Sequence, residues 1–589
     1  MLKIFKHLKT KEWVTIFFVI IFIVGSVWLN LQMPEYMATI TKLVQTPGSP
    51  MSEIWLNGAY MLLCALGSLA ATVIVGFLSA KIGAAFSARL RSELFNKVDS
   101  FSMGEINKFS TASLITRSTN DVTQIQMFIT LGLQLMINAP ILAVWAIVKI
   151  AGKGLEWTAA TGIAVAVLIC MLAVILIFVI PKFKKMQRLT DNLNRVTREN
   201  LTGLPVVRAY NAESYQEAKF EIANEELTKT HLFTTRSMAF IMPVMQLLMS
   251  GLSLAIFWIG AGLINNSAGA DRLQLFADMT VFMSYSVQVI MAFMMIAMMF
   301  VFLPRASVSA KRINEVLDTD PAIKDGLTDI GLDDKSGEVE FKNVSFKYPN
   351  AANYVLHDVS FTANKGETIA FIGSTGSGKS TLINLVPRFF DATEGEILID
   401  GVNVKDYKLE TLYNKIGYIP QKAVIFSGTL STNIAFGDEF VPPHKYETYK
   451  RVVSAMRVAQ GSDFAEKMEG TYDAAIARGG TNLSGGQKQR LAIARAVCKD
   501  PEIFIFDDSF SALDYKTDRK LRTALKKETT GVTVMIVAQR IGTIMDADKI
   551  VVLDKGKVVG MGTHRELLKA CKVYREIAMS QLSEEELAV

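Results

Sequence analysis

Hydrophobic and polar positions follow different patterns in the two halves of the chain. The first half contains six long apolar runs, at residues 13–33, 55–80, 128–150, 157–180, 238–263 and 276–303. Each run offers about 20 largely apolar residues, which is the length that an α-helix needs to cross the hydrocarbon core of a membrane. In the second half, the short apolar stretch at residues 368–372 predicts a buried strand, and residues 381–385 predict the start of a helix. We therefore expect six membrane-spanning helices followed by a domain of a different kind.

The distribution of lysine and arginine predicts the orientation of these helices. Basic residues cluster in the N-terminal tail and after the second, fourth and sixth runs, whereas the opposite loops carry few, namely Lys42, Lys153 and Arg272. The positive-inside rule therefore places both termini in the cytoplasm. The first run is long, lacks an obvious cleavage site and is followed by five more, so we expect a spanning helix there and not a signal peptide. Residues 1–11 alternate lysine with apolar residues and fit either an amphipathic helix on the inner membrane surface or a solvated basic tail.

Composition and chain length narrow the class of protein further. Half of the 589 residues are hydrophobic, and the formal net charge is +6. The basic residues form no patch with interleaved aromatic residues, so we expect no nucleic-acid partner. The four cysteines have neither metal-binding nor disulfide spacing. Residues 318–337 contain Pro321 and three glycines and are predicted to link a membrane domain at residues 1–317 to a second domain at residues 338–589.

A complete phosphate-binding loop follows the predicted strand at residues 368–372. It matches G-x-x-x-x-G-K-[ST], and its members are Gly373, Ser374, Thr375, Gly376, Ser377, Gly378, Lys379 and Ser380. The glycines of such a loop let backbone N–H groups face the phosphates, and the helix that follows adds a favourable dipole. We expect Lys379 to reach the β- and γ-phosphates, and Ser380 to ligate Mg²⁺ together with Asp507. The loop predicts a nucleotide and Mg²⁺ as ligands.

A second motif, Leu483-Ser484-Gly485-Gly486-Gln487, precedes a helix-forming stretch rich in Ala, Leu, Gln and Arg. It resembles the signature of ATP-binding cassette (ABC) transporters, and the resemblance covers nearly the whole chain. The resemblance implies an α-helical transmembrane domain of the exporter type, with six spanning helices, followed by an α/β P-loop ATPase cassette that uses ATP and Mg²⁺. Two cassettes pair head to tail in this family, so Ser484, Gly485, Gly486 and Gln487 would act on ATP that a partner cassette holds.

The resemblance also implies roles for residues outside these two motifs. Tyr348 would stack on adenine, and Gln421 would touch Mg²⁺ and sense the membrane domain. Asp514 would belong to the loop that communicates between the two sites. Taken singly, Tyr348 is equally a core tyrosine and Gln421 a surface glutamine, but their order and spacing support the family roles. The tips of the long cytoplasmic loops, near residues 102–109 and 203–214, would form coupling helices that dock on the cassettes.

Three departures from the family pattern concern the same nucleotide cycle. Asp508 stands where the family has a catalytic glutamate, and Gln539 stands at the position of its switch histidine. Residues 474–480 lack the acidic residues that often precede the signature. Aspartate is one methylene shorter than glutamate, and glutamine cannot change its charge near neutral pH as histidine can. We expect a site that binds ATP well and hydrolyses it poorly; the alternative is a homodimer with slow turnover through Asp508.

This pattern resembles one subunit of a heterodimeric ABC exporter of the multidrug type in a bacterial cytoplasmic membrane. The implied partner is a second half-transporter with an intact catalytic glutamate and switch histidine. Methionines crowd the fifth and sixth apolar runs and favour a flexible pocket for small amphipathic substrates, although they could equally face lipid or pack the bundle. A lipid or peptide exporter, an importer of the same fold, and an ATP-gated regulatory or channel-like protein are the alternative functions.

Overall fold

The computed structural model describes residues 2–46, 48–151, 154–267, 270–349, 351–437, 446–511, 515–528 and 530–582. The chain forms two compact units. The membrane unit consists of Met1–Asp99 and Ala112–Thr319, and the cassette unit consists of Ser100–Thr111 and Asp320–Val589. The short segment Ser100–Thr111 therefore belongs to the cassette unit, although membrane-unit sequence lies on both sides of it.

The described residues up to Leu317 are mainly helical, and several of the helices extend well beyond their apolar stretch. They are α1 (Thr10–Gln45), α2 (Met51–Asp99), α3 (Met103–Phe109), α4 (Thr111–Thr116), a π-helical turn (Arg117–Asp121), α5 (Val122–Ala151), α6 (Leu155–Thr202), α7 (Leu204–Ala209), α8 (Glu213–Ala239), α9 (Ile241–Asn265) and α10 (Ala270–Leu317). Among the described residues, six helical stretches are long and apolar enough to span a membrane. Each of them contains one of the six predicted runs, which confirms the prediction of six spanning helices.

Small residues allow the membrane helices to approach one another closely. Helices α1, α2, α5 and α10 pack together, whereas α6 packs mainly with α8 and α9. The Ser26 hydroxyl on α1 lies 3.1 Å from the hydroxyls of both Ser68 and Thr72 on α2. On the same helix, a Cβ added at Gly83 would overlap Thr130 Oγ1 of α5. Such close contacts between small residues are the usual basis of helix packing in membranes, where lipid is as apolar as the side chains.

The N-terminal segment packs against the membrane unit and is not a solvated tail. Leu2–His7 forms a short 3₁₀ helix, and Ile4 within it is only 1% exposed. Lys3 Nζ lies 3.0 Å from Asp318 Oδ2, and His7 Nδ1 lies 2.6 Å from Glu93 Oε2. The solvated-tail alternative is therefore wrong, because a buried isoleucine and the polar contacts to Asp318 and Glu93 hold the segment in place.

The cassette is built on two main sheets and a small sheet of two strands. Its strands are β1 (Val339–Phe346), β2 (Leu356–Ala363), β3 (Thr368–Gly373), β4 (Glu394–Ile399), β5 (Val402–Asn403), β6 (Ile416–Ile419), β7 (Gly428–Thr429), β8 (Ala475–Ile476), β9 (Ile503–Asp507), β10 (Thr533–Val537), β11 (Lys549–Asp554) and β12 (Lys557–Gly562). The larger sheet has the order β12-β11-β3-β10-β9-β6 and is parallel except for β12, while β2-β1-β4-β5 form an antiparallel sheet and β7 and β8 form the small one. The nearly continuous burial of β3 and β9 is typical of parallel strands covered on both faces.

Helices cover the larger sheet and supply the rest of the cassette. They are α11 (Lys379–Leu385), α12 (Leu409–Lys415), α13 (Leu430–Ile434), α14 (Tyr446–Val458), α15 (Ser462–Ala465), α16 (Gly485–Cys498), α17 (Tyr515–Glu528), α18 (Ile541–Ile544), α19 (His564–Ala570) and α20 (Lys572–Met579), with 3₁₀ turns at Asp333–Lys335, Thr471–Asp473 and Arg478–Gly480. Apolar side chains form one core around α14 and α16 and another between the two main sheets. This arrangement agrees with the expected α/β cassette.

Short helices lie at the two loop tips for which the sequence predicts coupling helices. Helix α3 begins at Ser102, whose hydroxyl accepts a hydrogen bond from Gly104 N, while Glu105 Oε2 accepts from Ser102 N at 2.8 Å. Such reciprocal capping stabilises the first turn of a helix. Helix α7 lies at the tip between α6 and α8. Only α3 belongs to the cassette unit of the same chain.

Candidate nucleotide site

The phosphate loop connects β3 to α11 in a backbone shape that requires glycine. Gly376 and Gly378 have φ values of 82° and 98°, in the left-handed region that favours glycine. At Gly373 a Cβ would overlap the carbonyl oxygen of Leu553. The loop is therefore held tightly against the neighbouring strand β11, with its backbone free of side chains at the glycines.

Lys379 lies across this loop with its ammonium group fully engaged. Its Nζ donates hydrogen bonds to the carbonyls of Gly373 at 2.9 Å and Ser374 at 2.8 Å, and to Ser377 Oγ at 3.3 Å. Burial lowers the pKa of Lys379, and the negative charges of Asp508 and Asp507 oppose that shift. A lysine ammonium held over a glycine-rich loop can bind the phosphates of a nucleotide.

Ser380 and Asp507 lie side by side, as the sequence predicted for a pair of Mg²⁺ ligands. Ser380 Oγ donates a hydrogen bond to Asp507 Oδ1 at 2.8 Å. Burial raises the pKa of Asp507, and the adjacent Asp508 charge raises it further, while the Ser380 hydrogen bond and Lys379 lower it. Hard oxygen ligands of this kind suit Mg²⁺, which usually combines one or two carboxylates with phosphate oxygens and water. Within the described parts of the chain, no cluster of three His, Cys, Asp or Glu residues could hold a metal by itself.

The Asp508 carboxylate receives two side-chain amides on one oxygen. Its Oδ2 accepts a hydrogen bond from Gln539 Nε2 at 2.8 Å and a longer one from Gln421 Nε2 at 3.4 Å. The residue is 8% exposed and adopts a φ of 47°. Burial raises the pKa of Asp508, while its hydrogen bonds from Gln421 and Ser511 lower it. The structure thus brings together two residues that depart from the family pattern, Asp508 and Gln539, with Gln421 beside them.

Gln581 is a further residue of this cluster that sequence reasoning missed. Its Nε2 donates to the carbonyl of Gln539 at 2.8 Å, and its Oε1 accepts from Ile541 N at 2.9 Å. The residue follows α20 in a polar stretch that carries no recognisable motif. A single glutamine therefore fixes the backbone on both sides of Arg540, next to the switch position.

The signature motif forms the start of α16. Ser484 Oγ accepts a hydrogen bond from Gln487 N at 3.3 Å, and Gln487 Oε1 accepts from Ser484 N at 2.8 Å. Ser484 and Gly485 are exposed. Because the first N–H groups of a helix have no partner within the helix, this exposed end can bind an anion such as a phosphate of another molecule. The predicted roles of Ser484, Gly485, Gly486 and Gln487 on a partner's ATP remain predictions.

Tyr348 is half-buried next to the phosphate loop. Its hydroxyl lies 2.9 Å from Thr381 Oγ1, and its ring packs edge-on against Phe346 and Phe390 at centroid distances of 5.0 and 5.2 Å. Thr381 directly follows Ser380, so the tyrosine lies close to the nucleotide loop. Its predicted stacking on adenine remains a prediction. Asp514 lies outside the described residues, as does Lys153.

Residues 474–480, the third departure from the family pattern, precede the signature and contain the short strand β8. Strand β8 pairs with β7, and Asn482 Nδ2 donates to the carbonyl of Ala475 at 2.9 Å. Ala475, Ala477 and Arg478 are exposed. The two acidic positions of the family pattern are therefore occupied, on the surface of the cassette, by Ala475 and Arg478.

Six spanning helices on one chain with a phosphate-loop cassette define a nucleotide-driven membrane transporter. Comparison with family models agrees: residues 16–293 match the ABC transporter transmembrane region, and residues 356–511 match the ABC transporter cassette. The chain belongs to the ABC transporter family, as a half-transporter with one membrane domain and one cassette.

Similar proteins in several bacteria share nearly the full length of the chain. An uncharacterized ABC transporter ATP-binding protein of Mycobacterium tuberculosis is 39% identical over 88% of this chain and 86% of its own length. The ATP-dependent lipid A-core flippase of Pseudomonas fluorescens is 32% identical over 83% of this chain and 79% of its own. A solved structure of a bacterial Atm1-family ABC exporter with ATP bound matches the fold with a TM-score of 0.79 at 24% identity, covering 98% of this chain and 100% of the other.

Proposed function

We propose that this chain is the subunit with the degenerate ATP site in a heterodimeric ABC exporter of small amphipathic compounds. The observation that carries the proposal is the Asp508 carboxylate, whose Oδ2 accepts from Gln539 Nε2 at 2.8 Å and from Gln421 Nε2 at 3.4 Å. The chain would place residues 1–317 in and near a bacterial cytoplasmic membrane, with both termini inside. Residues 318–337 would link that domain to the cassette at residues 338–589.

The geometry of Asp508 argues against an efficient general base. A carboxylate that already accepts two amide hydrogen bonds is less available to a water proton. Replacing glutamate by aspartate also draws the carboxylate back by about 1.5 Å, the length of one C–C bond. A displacement of about 1 Å can cost about 10²-fold in rate. Gln539 cannot compensate, because a side-chain amide neither gains nor loses a proton near neutral pH.

The remaining parts of the cassette support nucleotide binding and cooperation with a second cassette. Lys379, Ser380 and Asp507 have the contacts expected of phosphate and Mg²⁺ ligands. The exposed signature at the start of α16 is available to another molecule. Hydrolysis would then take place mainly at a site that combines this signature with the phosphate loop and the Mg²⁺-binding aspartate of the partner.

The cargo proposal rests on the methionines of the fifth and sixth apolar runs, which differ in how far they are exposed. Met245 and Met279 are each 5% exposed and pack inside the membrane unit, with Met279 Sδ against Gly260. Met242 is 73% exposed and Met298 is 48% exposed, so only part of the methionine set could meet a substrate. Because one relative is named a lipid A-core flippase, a lipid-like amphiphile is the second candidate cargo.

Photoaffinity labelling separates binding from hydrolysis at the two sites. The assembled transporter is purified from its native membrane. One sample is labelled with an azido-ATP at a low temperature that prevents turnover, which reports binding. A second sample is labelled after vanadate trapping at a temperature that allows turnover, which reports hydrolysis. We expect both subunits to be labelled in the cold, but only the partner to retain trapped nucleotide. A Lys379→Ala variant should strongly weaken cold labelling of this chain and serves as the control. Equal vanadate trapping on both chains would contradict the proposal.

A further inference from the structure

A buried carboxylate joins the π-helical turn Arg117–Asp121 to helix α10. Asp121 is 3% exposed and Ser309 is 5% exposed. Ser309 Oγ donates a hydrogen bond to Asp121 Oδ1 at 2.8 Å. Burying a charged side chain is costly unless it is paired and hydrogen-bonded, and π-helical turns occur often at functional sites. The nucleotide site uses neither residue, so the buried carboxylate requires its own account.

The second oxygen of this carboxylate accepts no hydrogen bond within the described parts of the chain. Asp121 Oδ2 is buried, and Arg312 Nη1 lies 3.9 Å from it, beyond hydrogen-bond range. The Arg312 side chain is 52% exposed and has room to move. A shift of about 1 Å would bring the guanidinium to the usual distance of a charge-assisted hydrogen bond. The two charges are therefore within ion-pair distance, but the hydrogen bond between them is not formed in this structure.

A hydrogen bond to the backbone of α10 is already formed next to the Asp121–Arg312 pair. Arg117 Nη1 donates to the carbonyl of Arg312 at 2.6 Å and lies 3.1 Å from Glu315 Oε2. This contact ties the beginning of the π-helical turn to α10, while the end of the turn carries Asp121. The two helices are thus held in register at Arg117, next to the Asp121–Arg312 pair.

Both partners of the Asp121–Arg312 pair lie close in sequence to a segment of the cassette unit. Helix α4 and the π-helical turn follow directly after Ser100–Thr111, the segment that belongs to the cassette unit. Helix α10 ends at Leu317, shortly before the cassette unit resumes at Asp320. A displacement of the cassette would therefore act on both sides of the Asp121–Arg312 contact through covalently continuous helices.

We propose that Asp121 and Arg312 are positioning residues that couple nucleotide binding to the membrane helices, with the hydrogen bond between them absent in one transport state and formed in the other. A conformational change requires an interaction that differs in free energy between two states. Forming this hydrogen bond supplies one, because it satisfies a buried carboxylate oxygen that otherwise has no hydrogen bond. The inference rests on membership of the ABC exporter family and is independent of which ATP site hydrolyses.

Hydrogen–deuterium exchange of the assembled transporter in lipid nanodiscs tests this coupling without a known cargo. Exchange is measured with and without Mg²⁺ and a nonhydrolysable ATP analogue, on peptides that cover residues 112–126, 305–319 and 368–385. In the unmodified protein we expect the analogue to change exchange in all three. Arg312→Gln should keep the response at residues 368–385 and reduce the response at residues 112–126 by at least threefold. Lys311→Gln, an exposed neighbour on the same helix, is the matched control and should respond as the unmodified protein does.

Two further variants keep the test independent of folding defects. Arg312→Lys should restore at least half of the lost response, because a lysine can still reach the carboxylate. Asp121→Asn combined with Arg312→Gln should behave like the stronger single variant if the two residues act through one contact. Additive losses, an unchanged response in Arg312→Gln, or a parallel loss at residues 368–385 would each overturn the proposal, the last by assigning the pair a purely structural role.

Discussion

Asp508→Asn should leave most of the ATPase activity of the assembled transporter intact. The substitution fits the site, because Asn is among the residues that tolerate a positive φ and Asp508 has a φ of 47°. The Asn carbonyl can still accept from Gln539. Each amide contact would fall from about 1.5–3 kcal/mol for a charged acceptor to about 0.5–1.5 kcal/mol for a neutral one. Removing a buried charge offsets that loss, so we expect the free energy of unfolding to change by about 1 kcal/mol or less.

The kinetic consequence distinguishes the two possible roles of this carboxylate. If the partner's glutamate is the general base, phosphate release by Asp508→Asn should stay within about twofold of the unmodified rate. If Asp508 is the base, its removal should cost about 10²–10⁴-fold. Asp500→Asn is the matched control, because Asp500 is exposed and has a φ of 54°. A collapse of phosphate release in Asp508→Asn alone, with azido-ATP labelling retained, would refute the degenerate-site proposal.

Four further predictions concern the same cassette. Ser484→Ala should reduce ATPase activity more than Asp508→Asn does, because the signature serves the competent site; an equal or smaller loss would count against that assignment. Lys379→Ala should weaken azido-ATP labelling of this chain about 10- to 100-fold, the equivalent of one charge-assisted hydrogen bond, and unchanged labelling would contradict the assigned role. Burial raises the pKa of Asp507, so protons should begin to compete with Mg²⁺ above the pH at which an ordinary aspartate titrates. Mg²⁺ titrations at falling pH should therefore show weakening Mg²⁺ binding in that range. Asp507→Asn should remove this pH dependence of Mg²⁺ binding. Asp508→Glu with Gln539→His should raise vanadate trapping on this chain at least tenfold, and no increase would mean that other residues limit hydrolysis there.

The spanning helices could be predicted because a membrane fixes both their length and their composition. All six apolar runs lie within helices of the structure. The apolar runs alone do not give the exact helix ends, since α2 and α6 continue as polar helices to Asp99 and Thr202. The sequence of the N-terminal tail fits two alternatives, because the burial of Ile4 depends on helices that lie far away in the sequence.

The individual parts of the nucleotide site were predictable, but their mutual contacts were not. Glycine spacing and the adjacent strand locate the phosphate loop, and the Ser380–Asp507 contact follows from the order of β3 and β9 around β10. That Gln421 and Gln539 both donate to one oxygen of Asp508 depends on side-chain directions that no linear motif encodes. The same holds for Gln581 and for Asp121, whose sequence neighbours give no sign of a buried contact.

The most direct test of the central claim is gentle purification of this chain from its native membrane, followed by identification and quantification of what accompanies it. We expect an equimolar second ABC half-transporter. It should have glutamate at the position that corresponds to Asp508 and histidine at the position that corresponds to Gln539. That result would locate the competent ATP site on the partner. Recovery of this chain alone as an ATPase-active dimer would contradict the account, because Asp508 and Gln539 would then support turnover by themselves.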